Sequence, residues 1–184
     1  MSRNLQSELH KATALTFEGL AFMFAAPRAD NEDGGEADES PVEAVAEVPF
    51  HGIFDGRLVL AARGRVLDEI LGNMLGADVG RAPEEPGGAG TWSRIDAWGE
   101  VANVICGNVL LGIAGSHTFR LDPPRPLPAA PEWAATHGAG NAPAAEAHVV
   151  LETGFADAYL YIAGEVPALA GAAEATGERE GDPT

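Results

Sequence analysis

Apolar residues recur along this chain in two rhythms, one of three to four residues and one of two. Over residues 4–26, Leu5, Leu9, Ala12, Leu15, Leu20, Met23 and Phe24 keep the first. That spacing predicts a helix, with Asn4 as its cap, Glu8 in its first turn and Pro27 as its stop. Val42, Ala44, Ala46, Val48 and Phe50 then alternate with Glu43 and Glu47, the period of a strand. Asp55-Gly56 predicts a turn into a second strand over 57–62, and Pro49 marks an edge or a strand end. Val66, Leu67, Ile70, Leu71, Met74 and Leu75 return to helical spacing, with Gly76 as the stop. A loop over 83–90 leads to Thr91 or Ser93, either of which can cap the next helix. Residues 116–121 predict a short strand and 123–143, rich in Pro, Ala and Gly, an irregular passage. Val149, Leu151, Ala158, Leu160 and Ile162 predict a last hairpin turned near Gly154, with Tyr159 and Tyr161 on its other face.

The remaining helical stretch begins near Asp96. At 100° per residue Asp96, Glu100, Asn103 and Gly107 fall in one narrow stripe, while Ile95, Trp98, Ala102, Ile105, Cys106, Val109 and Ile113 gather opposite. Beyond Glu100 this helix carries no charge, so a carboxylate and a carboxamide stand on a bland, convex surface shaped to enter a partner's cleft. The clean division of faces predicts an α+β fold, an antiparallel sheet packed against long helices.

Length and charge narrow the reading. The 184 residues suit one domain, placed at 1–166. Within it 28–41 is an acidic run without aromatic side chains and reads as a flexible linker. The stretch 167–184, made mostly of Ala, Glu, Gly and Asp, reads as a disordered tail. A net charge of −17 argues against nucleic acid and against an anionic membrane surface, which leaves a protein as the expected partner. The polar start and the apolar run over 104–114, broken by Asn108 and short for a bilayer, predict a cytoplasmic protein.

The usual enzyme signatures are missing. The acidic run lacks the alternating oxygen positions of an EF-hand loop. The five histidines are scattered with no pair at i, i+4, so no metal site is expected. Ser93 and Ser116 lack a Gly-x-Ser-x-Gly elbow, and the lone Cys106 lies on an apolar face. Gly138-Ala139-Gly140-Asn141 does not join a strand to a helix and is no phosphate loop.

The order of elements, with Ile70-Leu71-Gly72-Asn73-Met74-Leu75-Gly76 ahead of the Glu100-Val101-Ala102-Asn103 helix, resembles the chemotaxis phosphatases CheX and CheC over about residues 5–163. That family's pattern is Asp or Ser, three residues, Glu, two residues, Asn and, roughly twenty-two residues later, Pro. Asp96, Glu100, Asn103 and Pro126 match it. The motif occurs once here and twice in CheC, which favours the CheX-like type.

The resemblance implies removal of the phosphoryl group from a phosphorylated response regulator of the CheY kind. Asn103 would hold the attacking water and Glu100 would pair with the regulator's lysine. Asp96 and Pro126 would give support, and the Mg²⁺ would be the regulator's own. It also implies a homodimer through the sheet edge. A response-regulator binding module without activity is the alternative, and a purely structural dimeric scaffold a third. The acidic run at 28–40 and the long passage after Pro126 depart from a compact CheX.

Overall fold

The computed structural model describes residues 2–28, 40–75, 94–115, 117–128 and 142–164. In chain order these form α1 (Ser2–Leu20), β1 (Ala26–Pro27), β2 (Val42–His51), β3 (Asp55–Gly64), α2 (Val66–Leu75), α3 (Arg94–Ala114), β4 (Arg120–Leu121), β5 (Arg125–Leu127), β6 (Ala145–Leu151) and β7 (Gly154–Ala163). The strands make one antiparallel sheet in the order β1-β6-β7-β3-β2-β4, with β5 also paired to β2. This is the α+β arrangement expected from the two rhythms.

Two hairpins supply the sheet's centre. β2 pairs with β3 from Val42↔Arg63 to Phe50↔Gly56, and β6 with β7 from Ala145↔Leu160 to Leu151↔Gly154. β3 and β7 join them along their whole length. Because side chains alternate across a strand, Ala44, Ala46, Val48, Phe50, Leu58, Leu60, Ala147, Val149, Ala158 and Leu160 all face one way. They form the main core with Leu9, Phe17, Ile70, Trp98, Ile105 and Val109 from the helices. Each fully buried side chain of this size stabilises by about 1.5–3 kcal/mol. The opposite face is less polar than the alternation suggests, because Val45, Val59, Ala61 and Tyr161 make a second, smaller buried cluster there.

Several expectations from sequence are corrected. α1 ends at Leu20, six residues before Ala26. Phe22 takes a left-handed φ of 53°, and Met23 N–H returns to the Phe17 carbonyl at 3.0 Å. Beyond that turn the chain is extended: Met23 and Ala25 are buried, Phe22 and Phe24 are 75% and 78% exposed, and Ala26–Pro27 pairs with β6. Leu15, placed on the apolar stripe, is also exposed, and the buried face runs through Leu9, Ala12, Thr13, Thr16 and Phe17. The β2–β3 turn occupies residues 52–54, so Asp55-Gly56 already belongs to β3.

The strand expected over 116–121 is confined to Arg120–Leu121, and part of the Pro-rich passage is strand β5. Proline can pair there because β5 is an edge strand of three residues. Pro49 falls between the stretches of β2 that pair with β5 and β4, and its carbonyl accepts the Asp122 N–H at 2.9 Å. α3, at 21 residues, is long and apolar enough to cross a membrane by length and composition alone, although the apolar run 104–114 within it is not. Ten of its residues are buried against the rest of the fold. The expectations for the acidic run 29–39, Gly76, the loop 83–90, the caps Thr91 and Ser93, the passage 129–141 and the tail 167–184 lie outside the described residues.

Two polar devices secure the sheet. Gln6 of α1 reaches the open side of β6, its carboxamide accepting the Glu146 N–H at 3.1 Å and donating to the Glu146 carbonyl. On the small-cluster face, the buried Asp157 of β7 accepts from Arg63 Nε at 2.9 Å and pairs with His148 Nδ1 at 2.8 Å and Arg28 at 3.4 Å. Glu146 lies 3.3 Å from the other His148 nitrogen.

The hydrogen bond to Asp157 raises the His148 imidazole above its ordinary 6.5, against the effect of burial. Burial would push the Asp157 carboxyl up, yet the hydrogen bonds from His148 and Arg63 outweigh it and hold the group below 3.8. His148 therefore adds stability that is complete below about pH 6.5 and is lost as pH rises through its raised value. Asp157 adds stability present above about pH 3.8 and lost as pH falls through its lowered value. As pH rises from about 6.5 through the raised His148 value the melting temperature is expected to fall, and His148→Gln to flatten that slope. An unchanged slope in the variant would place its origin elsewhere.

Candidate functional site

α3 is fixed at its start by Arg94, which pairs with Asp68 of α2 at 2.8 Å. One turn on, Trp98 is fully buried, donates Nε1–H to the Leu60 carbonyl at 3.0 Å and lies 6.1 Å from the Phe17 ring. This anchor sets the rotation of the helix about its axis. With Trp98, Val101, Ala102, Ile105 and Cys106 inward, Asp96, Glu100, Asn103 and Gly107 must face away from the core. Asp96 is exposed in the first turn, where a carboxylate suits the helix dipole, and Glu100 and Asn103 are half-buried.

The flank of this stripe is closed by β5. Pro126 pairs with Ala46 of β2, which brings the Pro124–Pro126 segment beside the first two turns of α3. Asp96, Glu100 and Pro126, far apart in sequence, thereby line one cleft of about 210 Å³ with Ile95, Pro124 and Arg125. Asn103 does not line this cleft and stands one turn further along the stripe. Gly99 makes the fit possible, since a Cβ there would approach Pro124 Cβ to 3.1 Å. Gly99→Leu is expected to push β5 off the helix and cost about 1–3 kcal/mol, the usual penalty of overpacking, measured as a lower denaturation midpoint. An unchanged midpoint would mean that β5 yields freely.

Ile95 was assigned to the core and is instead 42% exposed at the mouth of the cleft. Arg125, Pro124 and Gly99 were not singled out from sequence. The nearest signal was a glycine inside an apolar helix, one residue before Glu100.

Among the described residues the Glu100 and Asn103 side chains make no hydrogen bond or ion pair, whereas Asp96 is engaged. Asn108, which breaks the apolar run, donates to Thr16 Oγ1 at 3.3 Å and so ties α3 to α1. Burial pushes the Cys106 thiol up to about 12, which makes it inert at neutral pH. No group of three or more metal-ligating side chains occurs among the described residues. The stripe therefore offers a free carboxylate and a free neutral carboxamide on a rigid helix. It can complete another protein's reaction centre, because a carboxamide both donates and accepts while a carboxylate accepts only.

Comparison with known proteins gives this arrangement its context. The family model for the chemotaxis phosphatase CheX matches residues 44–138, just over half of the chain, from β2 through α3 and β5. No curated protein sequence matches. CheX from Vibrio vulnificus superposes with a TM-score of 0.61 at 15% identity over 89% of this chain and 99% of that one. CheX from Desulfovibrio desulfuricans gives 0.55 at 14% identity over 86% and 99%. The CheX of a CheX–CheY–BeF3–Mg²⁺ complex from Borrelia burgdorferi gives 0.55 at 11% identity over 86% and 97%. At such identities the superpositions speak for a shared fold. The family model adds the sequence of strands β2 to β5 and of the helix that carries Glu100 and Asn103, and by it this chain belongs to the chemotaxis phosphatase CheX family.

Proposed function

We propose that this protein hydrolyses the aspartyl phosphate of a CheY-type response regulator in the cytoplasm. The observation that carries the reading is the pair of unpartnered side chains, Glu100 and Asn103, on an exposed helical stripe beside the Pro126 cleft. The family supports it, as does the Borrelia burgdorferi relative found with CheY and Mg²⁺.

Hydrolysis requires a water in line with the bond to the aspartyl oxygen. As water adds to phosphorus that bond breaks, the carboxylate leaves with the bonding pair, and the water's proton passes to phosphate or solvent. A receiver's own Mg²⁺ and lysine neutralise the charge that develops. What remains for this chain is to position. The Asn103 carboxamide accepts from, or donates to, the attacking water without competing for the cation. Glu100, one turn earlier, pairs with the receiver's lysine and fixes the register of the helix. Asp96 and Pro126 hold the approach to that register, and no metal of this chain's own takes part. Phosphate release from phosphorylated receiver domains of the same genome, with and without the protein, tests the reading. Binding without acceleration would leave the docking-module alternative.

A further inference from the structure

The mid-helix glycines in α3 differ in what surrounds them. Gly99 lies against Pro124, and a side chain at Gly112 would displace the flexible Glu8 carboxylate, but a Cβ at Gly107 would meet nothing within 4 Å among the described residues. Glycine inside a helix is less stable than alanine, so a residue that the chain's own packing does not require calls for a reason outside it. Gly107 lies seven residues after Glu100, about 20° from it around the helix, and Leu111 lies eleven residues after, about 20° to the other side. Leu111 is 66% exposed. The Glu100–Asn103 stripe thus continues through a bare patch to an exposed leucine, about 12 Å beyond Asn103.

We infer that Gly107 and Leu111 form the second half of the docking surface for the phosphorylated receiver. The receiver's backbone would close on Gly107, and Leu111 would seat in an apolar depression on it. This rests on the receiver reading proposed above. It answers a physical need of that reading, because a single ion pair at Glu100 contributes little in water and leaves the helix free to pivot. A second, apolar contact about three turns away fixes the direction of the axis and keeps Asn103 over the phosphoryl group.

The test compares wild type, Leu111→Ser and Gly107→Ala for affinity to a receiver loaded with Mg²⁺ and beryllofluoride, and for steady-state phosphatase parameters. Leu111→Ser is expected to leave the melting temperature unchanged, and Gly107→Ala to raise it by a few degrees through helix propensity. Both are expected to raise Kd and KM about 10-fold or more at unchanged kcat. A variant that gains stability while losing affinity is not explained by a structural role. Wild-type binding and turnover with both variants equal to it would overturn this proposal alone. Failure of wild type to bind any receiver would remove the functional reading and this inference with it. A Leu111→Ser variant that lost only self-association, at unchanged KM, would also overturn it by assigning the leucine to a second copy of the chain.

Discussion

Asn103→Ala is expected to bind a Mg²⁺- and beryllofluoride-loaded receiver about as tightly as wild type while dephosphorylating it about 10² times more slowly. The asymmetry follows from its position. Asn103 lies on the exposed stripe one turn beyond the cleft, is half-buried and has no partner within its own fold among the described residues. Truncating it should neither disturb the core nor remove a charge. It removes only the group proposed to hold water in line, and misplacing a nucleophile by about 1 Å costs on the order of 10²-fold. Glu100→Ala should behave differently, weakening association and turnover together and with a smaller loss at high salt, as a screened charge contact requires. Single-turnover rates and receiver affinity for the two variants separate the roles. Equal activity of Asn103→Ala and wild type would end the catalytic reading, even though the chain would remain a member of its family.

The largest loss of stability is expected for Trp98→Ala. The indole is fully buried where α3 crosses the sheet, against Phe17 and over Leu60. Removing a buried tryptophan leaves a void and costs about 3–5 kcal/mol. For a protein of this size that lowers the melting temperature by about 10 °C or more. Trp98→Phe retains most of the volume and loses mainly the hydrogen bond to the Leu60 carbonyl, about 0.5–1.5 kcal/mol. The two variants together therefore divide packing from hydrogen bonding. Comparable losses for both would show that the indole N–H matters more than its bulk. The proposed phosphatase activity should follow stability closely here, because Trp98 sets which face of α3 points outward.

The hairpins were legible because both faces of a strand are written two residues apart, and Ala44, Ala46, Val48 and Phe50 in β2 and Ala156, Ala158, Leu160 and Ile162 in β7 keep that period. The stripe of α3 was legible for the same reason at helical spacing. Three features escaped. At residues 22–25 the rhythm changes from helical to alternating within four residues, too few to separate a buried Met23 from an exposed Phe24 by pattern. Ile95 has the angle of a core residue but sits in the first turn, where exposure depends on how far the sheet extends beneath the helix. β5 carries Pro126, which argues against a strand, and it pairs only because it lies at an edge. The cleft shared by Asp96, Glu100 and Pro126 depends on that pairing. It is a product of the topology, as is the position of Asn103 outside it.

The carboxamide that Gln6 lays along Glu146 also bears on how this protein meets others. An open strand edge invites any extended chain to add itself to the sheet, and such addition is both a mode of recognition and the first step of aggregation. Here the Gln6 side chain occupies the backbone of β6 at Glu146, while the other border consists of the proline-bearing β5 and the two-residue β4. Among the described residues little continuous edge backbone is left on offer, which favours side chains standing on a helix as the surface that meets a visitor. Gln6→Ala should accordingly make the purified protein more prone to cross-β assembly without touching α3, an outcome that thioflavin fluorescence on prolonged incubation would report.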